Sequence, residues 1–118
     1  MSEALGRRAL RFSTPDQRRA AMYASIRKYR GMRSVNEIMK RVDKGFVPLV
    51  KKLGGFQGYY IMDCGDGTVV SISVFDSREH ALASNEKAAS WVKSNLADLA
   101  GDAKPEITAG EVRVSVSG

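Results

Sequence analysis

Polar and apolar residues alternate one for one from Met22 to Tyr29, with Met22, Ala24 and Ile26 on one side and Tyr23, Ser25, Arg27 and Tyr29 on the other. That period of two predicts a half-buried strand. From Val35 the period changes: Val35, Ile38, Met39, Val42, Phe46, Leu49, Val50 and Leu53 recur three or four apart, as in an amphipathic helix whose Lys40, Arg41, Lys44, Lys51 and Lys52 face water. Ser34, with Glu37 three residues on, predicts a capping box at its start. Gly45 and Pro48 predict a kink near residues 44 to 48, and Gly54-Gly55 predicts the end.

Two aromatic and β-branched runs follow, Phe56 to Asp63 and Thr68 to Phe75, and the tight Asp66-Gly67 pair between them predicts an antiparallel hairpin. Asp76-Ser77-Arg78-Glu79 opens a second helix, from about Arg78 to Leu99, whose stripe of Ala81, Leu82, Ala88, Ala89, Val92, Leu96 and Leu99 carries one polar member, Asn85. Gly110 to Val116 sets Val112, Val114 and Val116 against Glu111, Arg113 and Ser115 and reads as the closing strand.

The order βαββαβ predicts an α+β, ferredoxin-like fold: a four-stranded antiparallel sheet with two helices on one face. Val70, Ile72, Val74, Met22, Ala24, Ile26 and the three C-terminal valines are the expected floor beneath the helices. The other face then collects Tyr23, Arg27, Tyr29, Ser71, Ser73 and Phe75 with Glu111 and Arg113, too aromatic for water, and predicts a homodimer packed sheet to sheet.

Composition narrows the function classes. The 118 residues make one domain, and the net charge of +6 is uneven, because residues 1 to 20 carry Arg7, Arg8, Arg11, Arg18 and Arg19 against Glu3 and Asp16. This division predicts a basic, solvated tail over 1–20, set off by Ser13-Thr14-Pro15-Asp16, and a folded domain over 21–118. The tail leaves open contact with nucleic acid or an acidic partner, or an organelle address. Nucleic acid is not the expected partner, since Val69 to Phe75 lacks the Lys/Arg-Gly-Phe/Tyr pattern of RNA-recognition domains.

Cys64, the only cysteine, forms no intrachain disulfide and is expected to pack within a strand. No run approaches the roughly 20 apolar residues of a membrane-spanning helix, and the expected location is cytoplasmic. One histidine and one cysteine make no zinc site, no glycine-rich phosphate loop precedes a helix, and no nucleophile, base and acid can be assembled. Neither a metal nor another cofactor is expected.

Met22-Tyr23-Ala24-Ser25-Ile26-Arg27-Lys28-Tyr29, Gly54-Gly55-Phe56-Gln57-Gly58-Tyr59-Tyr60, Ser71-Ile72-Ser73-Val74-Phe75, Ala83-Ser84-Asn85 and Ala89-Ser90-Trp91-Val92 resemble the dimeric α/β-barrel superfamily, near the antibiotic-biosynthesis-monooxygenase-like domains. The resemblance covers nearly all of residues 21 to 117. It implies two chains packed sheet on sheet, with a cavity between each sheet and its own helices. It also implies either a cofactor-independent monooxygenase acting on an aromatic or polyketide-like substrate, or a non-catalytic ligand-binding or stress-response module. Haem-degrading relatives resemble this chain with a tryptophan ending strand three and a histidine on the second helix. Phe75 and Asn85 stand at those places, so the iron ligand is missing.

The candidate ligand residues follow from both readings. Asn85 is an amide on an apolar stripe and needs a hydrogen-bond partner, from a ligand or from the protein. His80 sits in the first turn of the second helix, where the helix dipole favours the neutral ring, either as a base or simply at the surface. Trp91 borders the stripe as a cavity wall or a packing anchor. Alternation places Tyr59 and Tyr60 on opposite faces, so one of them can line the cavity. Arg27 can pair with an acidic ligand oxygen or with Glu111 across the dimer sheet.

Overall fold

The computed structural model describes residues 21–118; the basic segment 1–20 lies outside the described residues. Strand β1 (Tyr23–Tyr29) leads to helix α1 (Val35–Arg41), a π-helical turn over Val42–Phe46 and helix α2 (Val47–Lys51). Strands β2 (Phe56–Asp63) and β3 (Val69–Phe75) form the hairpin, followed by α3 (Arg78–Asn95), the short α4 (Ala97–Ala100) and β4 (Glu106–Glu111). The sheet order is β2-β3-β1-β4, with every neighbouring pair antiparallel. This is the ferredoxin-like arrangement that the element order predicts. Among the described residues, no helix is long and apolar enough to cross a membrane.

The hairpin turn has the expected chemistry. Asp66 and Gly67 both have positive φ, as a turn matching the twist of the strands requires. A Cβ on Gly67 would also lie 2.7 Å from the carbonyl of Met32, whose own N–H donates to the Gly67 carbonyl at 2.9 Å, so this turn is pinned to the chain leaving β1. Helix α1 begins where predicted but by another device. Ser34 takes a left-handed conformation with no side-chain cap, and its carbonyl accepts from the N–H of Glu37 and Ile38. On α3, Ser77 does cap, its hydroxyl accepting from the His80 N–H.

The irregularity predicted near residues 44 to 48 is the π-helical turn, and Pro48 falls in the first turn of α2, where a missing N–H costs little. Gly45 lies in that turn because Trp91 leaves no room for more: a Cβ there would stand 2.9 Å from the indole ring. The second helix ends earlier than its stripe predicts, breaking at Leu96. Leu82 and Ala89 are exposed, while Ala81, Ser84 and Ala88 carry the buried line.

Two expectations fail. The closing strand is Glu106–Glu111, not Gly110 to Val116, because β1 offers pairing partners only from Lys28 opposite Glu106 to Tyr23 opposite Glu111. One more bond, from the Val112 N–H to the Met22 carbonyl, ends the ladder, and Val114 and Val116 are 84% and 89% exposed. Cys64 is likewise exposed, just past the end of β2, rather than packed in a strand.

The larger correction concerns the sheet's two faces. Tyr23, Ser25, Arg27 and Tyr29 pair laterally with Phe75, Ser73, Ser71 and Val69, and this set lies beneath the helices. Ala24, Ile26, Val70, Ile72 and Val74, the expected floor, point the other way together with Tyr60 and Met62. The faces are therefore the reverse of the sequence reading. Alternation tells which residues share a face, but not which of the two sets the pleat turns toward the helices. The main core is Ile38, Val42, Phe46 and Val50 from the first helical stretch against Val69, Phe75, Ala81, Ala88 and Leu96.

Candidate functional site

Arg27 is the largest fully buried side chain in the described structure, at 1% exposure. It projects from the middle of β1 toward the helices because the pleat turns it there with Ser25 and Tyr29, and Ser71 and Ser73 of β3 lie alongside. Its Nε donates to the Ser71 hydroxyl at 3.2 Å, one Nη to the Ser73 hydroxyl at 2.7 Å, and the other to Asn85 Oδ1 at 2.7 Å. The Ser25 hydroxyl donates to that same Oδ1 at 2.7 Å. The guanidinium therefore has a neutral acceptor at each nitrogen, and among the described residues no carboxylate pairs with it. Three of its five N–H bonds are used.

Burial of this kind is costly for a cation, since water is removed and no anion replaces it. Desolvation lowers the Arg27 pKa from its ordinary value, with the phenols of Tyr59 and Tyr29 opposing the shift. The arginine nonetheless stays charged, because its starting value is far above neutral pH. Burial also raises both tyrosines, Tyr59 to about 12, with Arg27 and Ser71 pulling back. Both phenols are therefore protonated at neutral pH and serve as donors rather than bases.

Arg27, Tyr29, Tyr59 and Ser71 border a cavity of about 30 Å³, walled on the helix side by Phe46 and Trp91. Phe46 holds the wall together, its ring 5.4 Å from Tyr59 and 5.6 Å from Trp91 in tilted contacts. The hollow implied by the family resemblance exists, but at this volume it holds about one water and no aromatic ring. A larger ligand must part its walls.

Of the six side chains singled out in the sequence, four converge here. Arg27, Tyr59 and Trp91 line the cavity, and Asn85 lies partly buried beside it with its oxygen committed to Arg27 and Ser25. Arg27 does not meet Glu111, which is exposed at the edge of the sheet opposite Tyr23. Tyr60 lies on the outer face at 63% exposure. His80 is exposed as well, its Nδ1 2.7 Å from Asp76 Oδ1, away from the cavity. The serine cradle and Tyr29 escaped the sequence reading, although Ser25, Arg27 and Tyr29 facing Ser71 and Ser73 at period two was a visible signal once either face could be the inner one. Among the described residues no three His, Cys, Asp or Glu side chains gather as a metal site.

The Tyr59 shift makes a testable statement about stability. Below pH 10 the phenol is neutral in both folded and unfolded chains and contributes no difference. Between pH 10 and about 12 the unfolded chain loses the proton while the folded one keeps it, so stability falls as pH rises through this window. The full loss is on the order of 2 kcal/mol. Denaturant titrations of wild type and Tyr59→Phe across that range should show the shallower fall in the variant; parallel profiles would refute the assignment.

No protein-family model matches the sequence, and no curated protein matches it. Solved structures do match. A protein of unknown function from Nitrosomonas europaea superposes with a TM-score of 0.64 at 15% identity, over 83% of this chain and 95% of its own. The ActVA-Orf6 monooxygenase of Streptomyces coelicolor, solved in complex with Nanaomycin D, gives 0.64 at 14% identity over 88% and 96%. A dimeric ferredoxin-like protein from an uncultured marine organism gives 0.60 at 17% identity over 81% and 99%. At such identities the likeness establishes the fold. The chain has a ferredoxin-like fold, which it shares with these solved structures.

Proposed function

We propose that this protein binds a small oxygenated aromatic molecule between the sheet and helices of each subunit of a homodimer. The observation that carries the reading is Arg27, a buried cation held by neutral oxygens at the rim of an aromatic-walled cavity. A charge kept dry without a counter-ion is poised for an anionic partner, and a phenolate or enolate oxygen beside aromatic walls meets both requirements. The outer sheet face, with Ile26, Ile72, Val74, Tyr60 and Met62 together, supports the dimer. It is the apolar face that packs against the second copy, not the face carrying arginine and tyrosine.

The finer reading is a cofactor-independent monooxygenase, suggested by the fold shared with a monooxygenase. In such a reaction an acidic methylene gives up a proton, its carbanion reduces dioxygen, and the carbon ends as a carbonyl while the second oxygen atom leaves as water. The substrate supplies all the electrons. Arg27 stabilises the anion, and Tyr59 donates to it. Neither phenol takes the proton, so the substrate must be acidic enough to lose it to solvent. Native mass spectrometry of the purified protein checks the first reading, with two subunits and a co-purified small acid expected; a ligand-free monomer would count against it. Oxygen uptake with hydroxylated polycyclic aromatics checks the second. Binding without uptake leaves the non-catalytic ligand-binding module as the function.

A further inference from the structure

Tyr29 is 5% exposed, and its hydroxyl is the one buried side-chain polar atom that no protein group among the described residues meets. Buried hydroxyls nearly always have partners, because leaving one without costs as much as the hydrogen bond it forgoes. The neighbouring polar groups are already committed elsewhere. Ser71 and Ser73 accept from Arg27, and Ser25 donates to Asn85. The Tyr29 oxygen could accept from the Arg27 guanidinium, but no such bond is made, and a guanidinium has no acceptor for the phenol's own proton. Both side chains line the interior cavity, so an acceptor placed there would meet the phenol and the guanidinium together.

The position of Tyr29 adds a route. It borders the interior cavity and, with Val92, also borders a groove of about 650 Å³ on the outside, between the end of α3 and the chain leading into β4. Lys93 and Lys104 flank this groove, with Asp102 the single acid among its lining groups. Tyr29 and Val92 are thus the shared wall between a groove large enough for an aromatic ring and a cavity large enough for one oxygen atom.

We propose that Tyr29 is a ligand-binding residue: its hydroxyl donates to a phenolate or enolate oxygen that enters from the outer groove and lies between Tyr29 and the Arg27 guanidinium. The ligand class is an acidic phenol or enol whose oxygen goes inward and whose ring stays at the Tyr29–Val92 threshold. This rests on the binding role of the Arg27 cavity proposed above, and adds to it the residue and the direction of entry.

Para-nitrophenol, which absorbs in the visible only when ionised, is the probe. Wild type should bind it as the phenolate, lowering the pH at which its colour appears. Tyr29→Phe removes only the hydroxyl, so it should bind the phenolate roughly tenfold more weakly. The same variant should melt at the same or a higher temperature without ligand, because an unsatisfied buried group has been removed. A purely structural hydroxyl would give the opposite result, lower stability with unchanged binding, and would overturn the proposal. Wild type and Tyr29→Phe binding equally, while Arg27→Met fails to bind, would overturn the role of Tyr29 alone. A probe whose ionisation is unmoved by wild type would overturn both this inference and the function it rests on.

Discussion

An Arg27→Met chain is expected to fold with near-parental stability and to lose the anionic ligand almost completely. Methionine matches the length of the arginine stem and fills the same space without a charge. Removing the buried cation relieves a desolvation penalty of several kcal/mol. Against this stand three lost hydrogen bonds to Ser71, Ser73 and Asn85, about 1.5–3 kcal/mol each for a charged donor. These contributions oppose each other and are similar in size, so the melting temperature moves little. Binding has no such compensation. Truncating one member of a buried charge pair costs about 2–5 kcal/mol, equivalent to affinity losses of roughly thirtyfold to several thousandfold. Paired denaturant and phenolate titrations check both halves. A variant that is strongly destabilised yet, where still folded, captures the probe as wild type does would make Arg27 a structural residue and remove the basis of the proposed function.

Ile72→Asp should convert the proposed dimer to a monomer. Ile72 sits at the centre of the outer face, opposite Ile26 on one side and Tyr60 on the other. A two-fold interface contains the same patch twice, so one substitution places two carboxylates in a single apolar contact. Each costs several kcal/mol when buried unpaired. Together they should raise the dimer dissociation constant by about a thousandfold or more. Sedimentation at micromolar protein separates the outcomes. An intact variant dimer would place the interface elsewhere, with the exposed valines 114 and 116 as the next surface to test.

The parts of this structure legible in the sequence were those governed by local chemistry. The hairpin depends on Asp66-Gly67 accepting positive φ, and it formed as expected. The irregular turn near Pro48 follows from a missing N–H, and a cap within Asp76-Ser77-Arg78-Glu79 from a polar side chain ahead of the helix, although Ser77 supplies it and not the Asp76 that stands three residues before Glu79. Asn85 was conspicuous because an amide on an apolar stripe must be satisfied, and its partners proved to be Arg27 and Ser25. What failed were judgements needing a third dimension. The valines after Glu111 alternate perfectly well, but β1 has no pairing positions left for them. Tyr59 and Tyr60 are chemically identical neighbours, and only the pleat's phase sends one inward.

The linear order of residues determined the element types, their succession and hence the ferredoxin-like sheet, since period, turn chemistry and helix breakers act over a few residues. Tertiary structure alone decided which side of that sheet the helices cover. Both sides carry enough apolar surface to be buried, so alternation could not rank them, and only packing against the helices' own apolar residues separated them. That choice placed a guanidinium, three serines and an unpartnered phenol in the interior, where their removal from water makes them a site rather than a surface.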